Sequence, residues 1–192
     1  MMKSYKEMKR QEGFTLIELL TVVAIIGILA GILIPVVSSA SDSALKAKAR
    51  VQFTQYATAL QQYHSEYGYW PDVGGLRATN GDGTADLSTD SRNFIEALTG
   101  RNPSTGNKST AFNRKAIPFM SFSENEFEEG SDTQLADPFG NTAIQIVVDA
   151  DGDGQLTGLP NVDGIGSTIK GKVAVYSEAN GNTDYEDIYT WN

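Results

Sequence analysis

Cysteine is absent from the 192 residues, and histidine occurs once, at His64. No disulfide framework and no thiolate metal site can hold this fold, and cysteine usage leaves the redox compartment open. A lone histidine with no evident nucleophile partner also leaves little for catalysis, which usually needs a base near neutrality. His64 lies inside a helical pattern and reads as a helix-surface residue, so an enzyme is not expected. Positive charge is scarce as well. Fifteen Lys and Arg face 24 Asp and Glu, for a net charge of -9. The first 13 residues carry +2, from Lys3, Lys6, Lys9 and Arg10 against Glu7 and Glu12, so the remainder carries -11. A chain this acidic argues against nucleic acid as a partner.

Apolar residues make up 40% of the chain, ordinary for one modest globular domain with an appendage. They are unevenly spread. Residues 14–37 form a run of 24 in which only Thr15, Glu18 and Thr21 are more polar than glycine. As helix this run reaches roughly 36 Å, enough to cross a bilayer. A secretory signal peptide fits it poorly. The polar stretch before it is long, the run exceeds the usual length of about 7 to 15 residues, and Ser38, Ser39 and Ala40 make a weak cleavage site. The four basic residues ahead of the run place the N-terminus in the cytoplasm and everything after Pro35 outside.

Glu18 is the anomaly in the run. A carboxylate inside an apolar span costs about 2.5 to 3.5 kcal/mol on insertion scales, so it calls for a partner. A cut between Gly13 and Phe14 would create a cationic α-amine one helical turn from Glu18. Gly13-Phe14-Thr15-Leu16-Ile17-Glu18, followed by Leu19-Leu20-Thr21-Val22-Val23, resembles the prepilin cleavage and methylation motif of the type IV pilin-like proteins. The resemblance implies that a prepilin peptidase cuts after Gly13 and methylates Phe14. It implies further that Glu18 pairs with the N-terminus of a neighbouring subunit. Gly27 and Pro35 match family positions too, and both weaken or kink a helix locally, which that family uses when subunits leave the bilayer and pack in a filament.

Beyond the run, Leu45, Ala49, Phe53, Tyr56, Leu60, Tyr63 and Tyr67 recur at spacings of three and four, which is the stripe of a helix packed on a core. Helix over 14–67 would be roughly 80 Å long, with Gly68 as its stop. Residues from Asp72 to about Ser88 have loop composition. A short helix follows, with Asp90 as a possible cap, Phe94, Ile95 and Leu98 on one face, and Gly100 at its end. Residues 101–141 read as irregular, tethered through Ile117 to Phe122. Strand patterns then occupy 143–148, 172–177 and 187–191.

The expected fold class is α+β, with a long N-terminal helix, transmembrane in its first half, packed on a small antiparallel sheet in the type IV pilin-like manner. The expected organisation is a leader over 1–13, the long helix over 14–67 with an assembly segment at 14–37, and an extracytoplasmic head over 68–192. Tyr63 to Pro71, Asp137-Pro138-Phe139-Gly140-Asn141 and Asn180 to Trp191 resemble pieces of the head of the major pseudopilin of type II secretion. An insertion from Asp72 to about Asn113 departs from that family.

Two acidic loops suggest a structural calcium ion. Asp149, Asp151 and Asp153 alternate ahead of Gly154, and with the Gln155 carbonyl they resemble the first part of an EF-hand loop. Pro160 stands where the bidentate Glu belongs, so Asp163, water or another segment must complete the set, and a solvated acidic turn is the competing reading. The loop containing Asn180, Asn182, Asp184 and Asp187 is a second candidate, at the position where major pseudopilins carry calcium. Asn80 to Asp86 has the same flavour, but turn chemistry alone explains it.

The resemblance implies a filament subunit, most of all a type II secretion pseudopilin, with a type IV pilus or DNA-uptake subunit as the near alternative. Its partners would be identical subunits, the prepilin peptidase, an inner-membrane assembly platform and the membrane itself. The chain would be held by a single span in the inner membrane and would then enter a periplasmic or extracellular filament. A membrane-anchored calcium-dependent adhesin is the alternative from another class.

Overall fold

Helix α1 runs without a break from Leu16 to Tyr67. Its second half is rich in Ala, Gln, Lys and Leu, all good helix formers. It stops at Gly68, whose φ of 75° only glycine adopts freely and whose N–H donates to the His64 carbonyl at 2.8 Å. The computed structural model describes residues 14–162, 164, 166–179 and 187–191. It divides into two compact units between Ser43 and Ala44, inside α1.

In the first unit the apolar side chains of α1 have nothing to pack against. Phe14 is 87% and Leu16 82% exposed, and Ile25, Leu29 and Leu33 are exposed likewise. In the second unit the helical stripe is covered. Ala49, Phe53, Tyr56, Leu60 and Tyr63 are buried, while Leu45 and Tyr67 are half-buried.

The core that receives this stripe comes from helix α2, Leu87–Thr99, and a four-stranded antiparallel sheet. Its strands are β1, Gly83–Asp86; β2, Ile144–Val148; β5, Val173–Ser177; and β6, Ile188–Tyr189. Their spatial order is β1-β2-β5-β6. A small hairpin pairs β3, Gln155–Leu156, with β4, Ile169–Lys170. Tyr56 of α1 meets Phe94 of α2 edge-on at 5.5 Å between ring centroids, and Phe94, Ile144, Ile146, Val148 and Val175 share the same buried cluster. The α+β class, with a long apolar N-terminal helix and a small antiparallel sheet, is the one expected from sequence.

Several details differ. The stretch from Asp72 to Ser88, read as loop, contains β1, which pairs with β2 in the register Gly83↔Val148 to Asp86↔Gln145. At Gly83 the backbone passes so close to Leu76 that a Cβ would overlap its carbonyl, hence glycine. The N-cap of α2 is Asp86, accepting from the Ser88 N–H at 2.8 Å, and not Asp90. Strand β1 runs directly into α2, which moves the helix start upstream. Gly100 ends α2 in the left-handed region, as expected.

Residues 101–141 lack long elements but not ties. Buried Asn113 donates to the carbonyls of Ala97 and Ile117 and accepts from the Tyr67 hydroxyl at 2.6 Å. Buried Gln52 donates to the Ala136 carbonyl at 2.9 Å and to the Tyr56 hydroxyl at 2.8 Å, and that hydroxyl donates to buried Glu126 at 3.0 Å. Asn113 and Glu126 thus find partners on α1 or α2, and buried Asp137 accepts from the Ser177 hydroxyl of β5 at 2.8 Å, so an irregular segment is held without regular ladders. Phe119, Met120 and Phe122 pack on the core as the apolar cluster promised.

Candidate functional site

Two places carry chemistry, the start of α1 and the acidic turns at one end of the sheet. At the helix start, Glu18 Oε2 accepts from the Thr15 N–H and from the Thr15 hydroxyl, both at 2.8 Å, and the Glu18 N–H donates back to Thr15 Oγ1 at 3.3 Å. This is a reciprocal capping box of the Thr-x-x-Glu kind, and it satisfies N–H groups that the first turn leaves free. One turn on, the Thr21 hydroxyl returns to the carbonyls of Ile17 and Glu18 at 3.0 Å. Every polar side chain of the run therefore satisfies itself locally. The helix contains an 18-residue window apolar enough to cross a membrane, none of it buried.

Phe14, the first of the described residues, is exposed, and Gly13 lies outside them. At Gly27 an added Cβ would meet nothing, and α1 stays helical through Gly27 and through Pro35.

At the other place, Asp149 is 8% exposed and follows directly on β2. Its Oδ1 accepts from the Gly152 N–H at 2.7 Å and its Oδ2 from the Gly154 N–H at 3.0 Å, with both glycines at positive φ. The Trp70 indole donates to the Asp149 carbonyl at 2.8 Å, which fixes the turn to the core. Asp151 accepts from the Asp153 N–H at 3.3 Å, and Asp153 accepts from the Gln155 N–H at 2.7 Å.

The carboxylates brought together are not the three in the alternating motif. They belong to Asp82, Asp149 and Asp151, whose ligand oxygens all lie within 4.8 Å of one another. Asp82 belongs to the Asn80 to Asp86 stretch, read from sequence as turn chemistry alone, and its approach to the other two depends on β1, which was not expected. The pairing Gly83↔Val148 sets the residue before β1 beside the residue after β2. In the structure Gly83 and Ala85 are buried and Thr84 is exposed, an alternation that Gly-Thr-Ala-Asp does not announce in sequence. Of the second loop, Asp187 accepts from the Ala179 N–H at 2.7 Å, while Asn180, Asn182 and Asp184 lie outside the described residues, as does Asp163.

His64 is half-buried and not a plain surface residue, its ring tilted by 30° against Trp70 at 4.3 Å between ring centroids. Burial, with Lys172 adding to it and Asp149 opposing, holds its pKa below 6.5.

Comparison with known proteins bears on the first place. The family described as the prokaryotic N-terminal methylation motif matches residues 8–34, which contain Gly13, Phe14 and Glu18. Type IV major pilin protein PilE1 of Neisseria gonorrhoeae is 31% identical over 90 residues, 46% of this chain and 39% of that one. Type II secretion system core protein G is 38% identical over 65 residues in Pseudomonas aeruginosa, covering 34% of this chain and 46% of that one. Core protein G of Vibrio cholerae is 33% identical over 92 residues, covering 47% of this chain and 61% of that one. The chain thus spans between 39% and 61% of the length of these relatives. No solved structure matches it.

A long apolar N-terminal helix ahead of a small antiparallel sheet, opened by the methylation motif, is consistent with a type IV pilin-like fold. The similarity reaches both a type IV major pilin and the type II secretion core protein G.

Proposed function

We propose that the chain is a structural subunit of a type IV pilin-like filament, of the type II secretion pseudopilin kind. The observation that carries this reading is Glu18, a lone carboxylate in an exposed apolar helix that begins with the methylation motif. A permanent anchor has no need of the cut after Gly13 or of an acid at Glu18, which weighs against a membrane-anchored adhesin. The apolar face of α1 between Phe14 and Val37 is first held in lipid, with residues 1–13 as a cytoplasmic leader and the rest outside. After the peptidase cuts and methylates Phe14, the same face packs against identical subunits delivered by an inner-membrane assembly platform.

The match to core protein G of Vibrio cholerae, over 61% of its length, supports the secretion branch. The match to a Neisseria major pilin over 90 residues supports the alternative, a type IV pilus or DNA-uptake subunit. Calcium belongs to the reading as a structural ion of the acidic turns. In a head without disulfides, an ion that binds only the folded loop adds stability.

Intact-mass analysis of protein extracted from the native membrane tests the proposal. The expected species starts at N-methylated Phe14. A mature N-terminus at Met1 or near Ala40 would overturn it.

A further inference from the structure

Asn80 stands directly ahead of Gly81 in the turn that enters β1, and both residues are exposed. Gly81 holds φ at 71°, and a Cβ built on it would meet nothing within 4 Å, so the turn is open to water. Among the described residues, neither the Asn80 side-chain amide nor the Gly81 N–H takes part in a hydrogen bond. A backbone nitrogen can close a succinimide ring on the side-chain carbonyl of the asparagine before it, and glycine, without a Cβ, lets that nitrogen approach. Elsewhere the same step is hindered. Asn102 precedes Pro103, which has no N–H to give up. Asn113 and Asn141 are buried, with their Nδ2 groups donating to the carbonyls of Ala97 and Ile117 and of Glu178. Asn93 lies inside α2, where the N–H groups are held in the helix ladder, and after Asn125 the Glu126 N–H donates to the Ser123 carbonyl at 2.9 Å. Asn107 and Asn161 precede Lys108 and Val162, whose side chains crowd the attacking nitrogen. The acidic hairpin carries the aspartate version of the sequence, yet its Gly152 and Gly154 N–H groups are both given to Asp149.

We propose that Asn80 is a site of spontaneous modification, deamidating in the folded chain ahead of the other described asparagines. The Gly81 nitrogen, on losing its proton to hydroxide, attacks Asn80 Cγ. A bond forms between that nitrogen and Cγ, the bond from Cγ to Nδ2 breaks, and Nδ2 leaves as ammonia with a proton returned from water. Water then opens the succinimide at either carbonyl. Opening at one leaves aspartate at position 80, and opening at the other leaves isoaspartate, with the main chain routed through Cγ. The net exchange is water for ammonia, with no change of oxidation state. The product bears a carboxylate two residues before Asp82, which already has an oxygen within 4.8 Å of those of Asp149 and Asp151, so charge is added where like charges crowd. Isoaspartate also lengthens the main chain just ahead of β1. This chemistry is independent of the filament reading.

The test holds the full-length chain, in detergent, in mildly alkaline buffer made with isotopically labelled water. The protein is then moved to unlabelled water and digested with trypsin, so that only conversion in the intact chain carries label. Peptide 78–92, released by cuts after Arg77 and Arg92, contains no asparagine besides Asn80 and is followed by mass spectrometry. The expected result is exchange of its amide for a labelled carboxylate, faster as hydroxide concentration rises, with aspartate and isoaspartate forms separating on chromatography. The peptides containing Asn102, Asn113 and Asn141 should keep their amides over the same time. Asn80→Gln, whose longer side chain closes a ring poorly, should lose the uptake, and this exposed change leaves the core intact. Uptake kept in Asn80→Gln would place the event at Asp82 and overturn the assignment. Conversion of Asn80 in urea but not in the folded chain would show that the turn protects it, and would overturn the proposal. Equally fast conversion of Asn113 or Asn141 in the folded chain would overturn the selection by burial and hydrogen bonding.

Discussion

The Glu18 carboxylate makes its hydrogen bonds within its own first turn, to the N–H and hydroxyl of Thr15. A capping box needs only two of the lone pairs on a carboxylate, so the charge is left for another partner. Cleavage after Gly13 would supply one in the new α-amine of Phe14, on the same chain or on the next subunit. Glu18→Ala is therefore expected to leave the sheet and its core folded while filament yield falls sharply. Electron microscopy of sheared filaments, with circular dichroism of the extracted subunit, checks this, and normal filament yield would remove the assigned role.

His64 makes a different residue-scale prediction. Its folded pKa lies below 6.5, so the unfolded chain takes up the proton first as pH falls. The stabilising contribution is then complete above pH 6.5 and is lost as pH falls through the lowered folded value. Since His64 is the only histidine, His64→Gln should flatten the decline in urea midpoint on the acid side of neutrality. The same slope in both proteins would contradict it.

Among the elements, α2 is delimited by two residues whose costs can be ranked. Asp86→Ala removes an N-cap acceptor and should cost about 1 kcal/mol. Gly100→Ala forces a Cβ onto φ 64° and sets it 2.6 Å from the Ala116 carbonyl carbon, so it should cost more than the cap. Denaturant unfolding followed by the fluorescence of Trp70 and Trp191 measures both, and a cheaper Gly100→Ala would contradict this ranking.

The stops at Gly68 and Gly100 were legible in the sequence because one residue's backbone freedom decides each. The stripe from Leu45 to Tyr67 was legible because a helix repeats its own period. Strand β1 was not. Gly-Thr-Ala-Asp has no run of β-branched or aromatic residues, and only its pairing with β2, some 60 residues on, makes it a strand. The approach of Asp82 to Asp149 and Asp151 was hidden for the same reason, since a cluster drawn from two turns has no spacing rule within either. The hydrogen bonds that pin residues 101–141 join positions as far apart as 84 in sequence, which no local pattern reports.

For the molecule as a whole, the division inside α1 separates two solvents. Between Phe14 and Val37 the large apolar side chains are exposed, a state water does not tolerate over such a length. After Ala44 the same helix turns its stripe inward, and its outer face carries Lys46, Lys48, Arg50 and Glu66. Among the described residues the first fully buried one is Ala49, five positions past the division, so cutting at Ala44 removes no described core side chain. A fragment comprising residues 44–192 is therefore expected to be soluble, monomeric and folded without detergent, while the full chain partitions into membrane. Sedimentation and near-ultraviolet circular dichroism of the fragment check this. The pairing of Tyr63 with Tyr67 and Tyr69, and of Tyr176 with Tyr189 and Trp191, should give a strong aromatic signal that vanishes on unfolding. An insoluble fragment, or a soluble one without that signal, would mean that residues before Ala44 contribute to the folding of the head as well as to its attachment.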